Sequence, residues 1–293
     1  MRIVSLLPAG TEIVAALGAM GRLVGVSHEC DFPSQVRSLP RVTRSRIDPA
    51  LPSGAIDRAV ADAKRTGVAT VEVDVELVAH LRPDVLIGQS VCDVCAIGQA
   101  DLARVVTTLI PIPWVVTLHA HTLDGVLEDI ARVGEALELR DEAEELLAGL
   151  RYRLRRVQTR TAESARVETQ HAAPRQKPRV LVLEWVDPPY VAGHWVPELV
   201  ELAGGSDVAG ERGAPSRRRS WEDLAALQPD LVLVALCGFD VARATVELDA
   251  VRAGAARVLL GRRVEIIDGN AYTSRPGPRL ADAAEILSRL MIR

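Results

Sequence analysis

The first chemistry the chain offers lies in its four cysteines. Cys92 and Cys95 form a Cys-x-x-Cys step, a spacing at which two thiolates of one turn can grip a single ion. Cys30 and Cys237 lie far from that step in sequence, and folded beside it they would complete a tetrahedral zinc site or hold an iron–sulfur cluster. Two other readings stay open: a redox pair at Cys92 and Cys95, and four unrelated thiols packed as small hydrophobes. Histidines stand close by. His28 precedes Cys30 by two residues, and His194 sits in Gly193-His194-Trp195. Each could ligate a metal, stack on a ligand or serve as a hydrogen-bonded structural group.

These residues need elements to hold them. Arg2–Leu7 reads as a buried strand, Pro8–Thr11 as a turn with Thr11 capping a helix over Glu12–Leu17, and Leu23–Val26 as a second strand. Ile56–Arg65 and Val75–Leu81 read as helices, Asp84–Gly88 as a strand, Leu102–Leu109 as a helix and Trp114–Leu118 as a strand. From 122 to 163 apolar residues recur at helical spacing with no strand candidate, which marks a helical connector; His119 and His121 flank its start. Residues 164–178 are polar and proline-interrupted, the pattern of a loop. The second half repeats the first. RVLVL at Arg179–Leu183 matches RIVSL at Arg2–Leu6, and Leu227-Gln228-Pro229-Asp230 matches Leu81-Arg82-Pro83-Asp84. The expected architecture is α/β: two Rossmann-like lobes with parallel sheets, 1–121 and 179–293, joined by a connecting helix at 122–163 and a loop at 164–178.

In such sheets ligands bind beyond the carboxyl ends of the strands. All four cysteines fall at predicted strand ends. So do six of the nine aromatic residues: Phe32, Trp185, Tyr190, Trp195, Phe239 and Tyr272. That placement favours a flat or apolar ligand in an interlobe cleft over simple plugging of loops. Glu184, at the end of the RVLVL strand, reads as a polar cleft or capping residue, since no nucleophile accompanies it.

Other functions are disfavoured. A net charge of -4 with no basic face argues against nucleic-acid binding, and Arg217–Arg219 is too short a run to change that. No phosphate-cradling glycine motif and no Gly-x-Ser-x-Gly elbow is present. No apolar run approaches the ~18–20 residues that span a bilayer, so no membrane insertion is expected. Met1-Arg2 runs straight into Ile3–Pro8 without the apolar region of a secretion signal, which, with four cysteines expected to be reduced, points to a cytoplasmic protein.

Several stretches resemble a known family. Ser5-Leu6-Leu7-Pro8-Ala9-Gly10-Thr11-Glu12-Ile13, Leu23–Ser27 followed by Asp31-Phe32-Pro33, Leu81–Asp84, and NAYTSRPGPR at Asn270–Arg279 are similar, in this order, to the substrate-binding proteins of ABC importers for vitamin B12, iron-siderophores and haem. The resemblance spans nearly the whole chain and lies nearest the cobalamin-binding branch. It implies two lobes joined by one long helix, no catalysis, a corrinoid or other metal-bearing ligand held between the lobes, and an ABC transporter permease as partner. By resemblance, the loop from His28 to Phe32, the loop from Trp185 to Tyr190, Arg218 and Tyr272 contact the ligand; the positions of His28 and His194 would let either ligate a corrin cobalt. Family members are exported and lack this cysteine set, so the chain is expected to differ by a metal or iron–sulfur site on Cys30, Cys92, Cys95 and Cys237.

Overall fold

The computed structural model describes residues 1–90, 99–169 and 176–291. The chain divides into two compact units. The first comprises 1–51, 55–120 and 124–148, and the second 52–54, 121–123 and 149–293. Each is an α/β layer around its own sheet.

In the first unit β1 (Ile3–Ser5), β2 (Leu23–Val26), β5 (Val85–Gln89) and β6 (Trp114–Leu118) form a wholly parallel sheet in the order β2-β1-β5-β6. Helices cover it: α1 (Pro8–Ala16), α2 (Ser53–Thr66), α3 (Val75–Leu81), α4 (Gln99–Thr107) and α5 (Leu123–Ala136). A separate antiparallel pair, β3 (Thr43–Ser45) and β4 (Val71–Val73), has strands too short for a period-2 pattern to be visible in sequence. Because both faces of the sheet are covered, its strands are continuous apolar runs. Ile3, Val4, Leu86 and Ile87 are all fully buried, each contributing roughly 1.5–3 kcal/mol. The first helix begins at Pro8, earlier than expected, because proline is pre-set for the first helical turn and has no N–H to satisfy there. Thr11 is therefore inside α1 and not its cap, and its hydroxyl turns inward.

The connector stretch contains two helices. α5 ends where Glu138 adopts a left-handed conformation (φ 58°), and α6 (Arg140–Thr169) then runs for 30 residues as the long helix linking the units. Gly134 permits the tight return: a Cβ there would stand 2.4 Å from that of Ala143. α6 continues to Thr169, into the stretch read as a loop, since its Ala, Glu and Arg residues favour helix.

In the second unit β7 (Arg179–Val186), β8 (Pro189–Val191), β9 (Ser206–Asp207), β10 (Arg217–Arg218), β11 (Leu231–Val234) and β12 (Arg263–Ile266) build a mixed sheet in the order β10-β8-β7-β11-β12, with β9 beside the start of β7. The sheet was expected to be parallel throughout. Its β7, β11 and β12 are, whereas β8 doubles back antiparallel on β7 after the short turn at Asp187-Pro188 and pairs in turn with β10. The helices are α7 (Val196–Leu202), α8 (Trp221–Ala226), α9 (Val241–Val251), α10 (Ala256–Leu259), α11 (Gly269–Tyr272) and α12 (Leu280–Met291).

The repeated Leu-x-Pro-Asp step is the same corner built twice. Arg82 (φ 44°) and Gln228 (φ 47°) turn left-handed, ending α3 and the turn after α8. The following proline cannot continue a helix. The aspartate then accepts a hydrogen bond from the first strand of its unit, Arg2 N–H to Asp84 Oδ2 at 2.6 Å and Arg179 N–H to Asp230 Oδ2 at 2.8 Å. The same two arginines donate side-chain bonds to Leu81 O and Leu227 O. Each corner thus locks the helix-to-strand crossover to the strand beside it.

Candidate functional site

Near the carboxyl end of β7, Trp185, Tyr190, Arg218 and Phe239 of the second unit lie together. β7 carries Glu184 and Trp185 just before its end at Val186, and β11 runs out into Cys237, Gly238 and Phe239, tied back by Cys237 N–H to Glu184 O at 2.9 Å. The Trp185 and Phe239 rings meet with centroids 5.1 Å apart and tilted by 37°, a favourable edge-offset arrangement. The Arg243 guanidinium lies 4.8 Å from the Phe239 ring centroid, so Phe239 is held between an indole and a cation. Tyr190 pairs with Trp185 on one side and with Arg218 on the other, placing an exposed guanidinium beside the aromatic cluster.

The cluster is braced by Pro52–Gly54, three residues at the start of α2 that belong to this unit. The Trp185 indole N–H is shared between Ser53 O (3.3 Å) and Asp187 O (3.2 Å). Ser53 N–H donates to Glu247 Oε2 at 2.9 Å, and Gly54 lies so close to Asp187 that a Cβ would fall 2.1 Å from its carboxylate. Two carboxylates at a helix N-terminus suit its partial positive charge. Burial pushes the Glu247 carboxyl up, but the bonds from Ser53 and Arg243 outweigh it and hold the group below the usual carboxylate range. Neither Ser53 nor Glu247 stands out in the sequence: an Arg243–Glu247 pair at helical spacing reads as an ordinary surface ion pair.

His194 and Trp195 follow β8. His194 is left-handed (φ 53°) and fixed by its N–H to Ala214 O at 2.7 Å. Its ring stacks on that of His121, centroids 5.4 Å apart and 28° from parallel. Burial, then the neighbouring His121, holds the His194 imidazole below its ordinary pKa. His121 was read as flanking a helix, and its partner, 73 residues away, could not be seen from spacing. Trp195 is buried, its indole N–H donating to Thr273 O at 2.9 Å, and so it packs the floor beneath the loop. Tyr272, at the end of α11, is half-buried with Arg279 over its ring.

The first unit's carboxyl edge carries His28, Cys30 and Phe32 after β2. Phe32 is exposed. His28 Nδ1 stands 2.7 Å from Thr43 Oγ1, which donates its own proton to Ser27 Oγ. Burial and then Arg41 lower the His28 pKa. In the neutral ring Nδ1 therefore carries the proton and donates to Thr43, leaving the Nε2 lone pair as an acceptor. Beyond β6, Ser90 Oγ and His119 Nδ1 are 2.6 Å apart, and Asp129 accepts the His119 and Ala120 N–H groups.

The iron–sulfur expectation is overturned. Among the described residues no three His, Cys, Asp or Glu side chains gather to hold a metal ion, which leaves zinc equally without support. Cys30 is buried, its Sγ 3.1 Å from Thr11 Oγ1. Cys237 belongs to the other unit, and Cys92 and Cys95 lie outside the described residues. Position at a strand end did not determine where the side chain points, and the Cys30 thiol turns into the core. Among the described residues no helix is long and apolar enough to cross a membrane.

A family model described as periplasmic binding protein matches residues 3–253. The chain is 23% identical over 286 residues to the vitamin B12-binding protein of Vibrio cholerae serotype O1, covering 97% of this chain and 86% of that one. Among solved structures it is similar to a periplasmic heme-binding protein of Pseudomonas aeruginosa (TM-score 0.74, 25% identity, 99% of this chain and 92% of the other). It is also similar to the periplasmic vitamin B12-binding protein of Vibrio cholerae (TM-score 0.70, 21% identity, 99% and 96%). These matches correct the expectation of a cytoplasmic protein, since the family and both solved relatives are periplasmic. The fold is that of non-catalytic substrate-binding proteins related to haem and B12 binders. Over 251 of its 293 residues, in a match running from residue 3 to residue 253, the chain belongs to the periplasmic binding protein family.

Proposed function

We propose that the chain is a binding protein for a corrinoid of the cobalamin type, delivering it to an ABC transporter permease. The observation that carries this reading is the Trp185–Phe239 pair with Tyr190 and Arg218 beside it, at the carboxyl edge of a sheet. A flat macrocycle with apolar faces and a polar rim needs an aromatic wall for the face and a charged or amide-bonding group for the rim, and these four residues supply both. The similarity to vitamin B12-binding proteins over 97% of the chain supports the same ligand. The proposed contacts are Glu184, Trp185, Tyr190, Arg218, Phe239 and Tyr272 with His194 from the second unit, and His28 and Phe32 from the first. Trp195 acts by packing beneath them.

A second reading, haem, is favoured by the stacked His121–His194 pair, whose partly exposed imidazoles suit an iron axial position, and by the similarity to a heme-binding protein. Titration of the purified protein with cyanocobalamin and, separately, with hemin decides between them. Tight cobalamin binding without a shifted Soret band supports the corrinoid. A Soret shift lost in His194→Ala with no cobalamin binding assigns haem. No binding of either at millimolar cobalamin and micromolar hemin refutes both.

A further inference from the structure

Away from the carboxyl edge, the second unit carries a basic groove of about 670 Å³ between α6 and α12, lined on the α6 side from Tyr152 to Glu163. Its charge is lopsided. Arg153 is satisfied by Asp282 and Glu285, and Arg160 donates to Ser288 Oγ at 2.8 Å. Arg155, Arg156 and Arg289 line the same groove and are exposed, and among the described residues none of them makes a hydrogen bond or an ion pair. Among the described residues the lining holds five arginines against two carboxylates, Glu163 and Glu285, and Glu285, bonded to Arg153, also feels the charges of Arg156 and Arg289. This excess sits on a chain whose net charge is -4, so it is a local positive field and not a reflection of overall composition.

The arrangement is also unfavourable to the helix that carries it. Arg156 and Arg160 stand one turn apart at i and i+4, as do Arg151 and Arg155, and like charges at that spacing repel. An exposed helix face gains nothing from such stacking unless something anionic neutralises it. The groove is long and open: its α6 wall runs over twelve residues, eleven steps of the helical rise or about 16 Å. Arg153 is held by its own carboxylates, so the cations left open are Arg155, Arg156 and Arg160, within about 7.5 Å along α6, and Arg289 on the facing helix. A single phosphate would use one or two of these cations, whereas a helix with Asp or Glu at i, i+3 and i+7 carries three carboxylates along one face, enough to engage cations on both walls. The exposed Tyr152, with Arg156 5.8 Å over its ring, gives such a segment an apolar footing at one end.

We propose that this groove docks an acidic, helical segment of a partner protein. The groove lies wholly in the second unit and uses none of the proposed ligand contacts, so the proposal is independent of which ligand the protein carries. The test is fluorescence anisotropy with the intact chain and a labelled alanine-based peptide of roughly 14 residues carrying Glu at i, i+3 and i+7. The control is the same composition in scrambled order. Inorganic pyrophosphate and vesicles containing phosphatidylglycerol serve as competing probes. Support is saturable binding of the patterned peptide, at least about tenfold tighter than the scrambled one, weakened about tenfold or more in Arg155→Glu/Arg156→Glu. Should that double reversal fail to fold, the neutral pair Arg156→Gln/Arg289→Gln must weaken binding in the same direction. The proposal is overturned if the two peptides bind alike, if neither binds at millimolar concentration in low salt, or if only pyrophosphate or vesicles engage the groove.

Discussion

Replacing Asp129 by alanine should cost the protein about 1–3 kcal/mol, and the figure follows from the one buried donor it orphans. Asp129 is 1% exposed on α5. Its Oδ2 accepts both the His119 N–H (2.8 Å) and the Ala120 N–H (2.9 Å), and its Oδ1 faces Arg132. Alanine leaves both N–H groups without an acceptor. Ala120 is buried, so its donor bears the full penalty of about 1–3 kcal/mol, whereas His119 is exposed and its N–H can turn to water. Asparagine is different. Its amide oxygen can replace Oδ2 for both donors, and Arg132, 42% exposed at its side chain, can swing into solvent. Burial holds the Asp129 carboxyl above its ordinary pKa despite the three donors, so the ionised group already carries a penalty at neutral pH that asparagine avoids. Asp129→Asn should therefore stay within about 1 kcal/mol of the parent. Urea denaturation with an unchanged m-value measures both. An alanine variant within about 0.5 kcal/mol of the parent, or an asparagine variant as unstable as alanine, would refute the reasoning.

Trp185→Ala should weaken cobalamin binding about tenfold or more while leaving the fold intact, because the indole is half-buried and rests on Phe239; isothermal titration beside circular dichroism reads both. Gly193→Ala should destabilise by about 1–3 kcal/mol in thermal unfolding, since its Cβ would stand 2.4 Å from Ala214 O and 2.8 Å from the backbone of Pro215 and Ser216. His28 and His194 both titrate below their ordinary value, chiefly through burial. The unfolded chain then binds the proton first, so their contribution is complete above a pH of about 6.5 and is lost as pH falls toward the depressed values. A melting temperature that declines below that pH, and declines less in His194→Gln, is the expected profile; a flat profile in the parent would exclude it.

The sequence carried the architecture because the corner at Leu81–Asp84 and its copy at Leu227–Asp230 are set by residue type: a left-handed position, a proline, then an aspartate bonded back to the first strand. Buried parallel strands are just as visible, as continuous apolar runs. Strands of two or three residues such as β9 and β10 offer no period to see, and the break between α5 and α6 rests on a close approach at Gly134 that pattern alone does not reveal. At the site, the loops were legible and the side-chain directions were not. Phe239 and Trp185 meet, but Trp185 does so from within β7, which runs on to Val186, past the end expected at Leu183. Cys30, equally well placed in sequence, turns into the core against Thr11, and His121 finds His194 only through the fold.

The three residues Pro52–Gly54 set a timetable for synthesis. Ser53 N–H waits for Glu247, 194 residues later in the chain. At roughly 5–20 residues per second that interval is on the order of 10–40 s. Throughout it the growing chain holds the start of α2 ahead of the strand ends, indole and carboxylate that will enclose it. The second unit cannot be completed from its own contiguous stretch, so a fragment beginning at Gly149 would lack a piece of its own aromatic cluster.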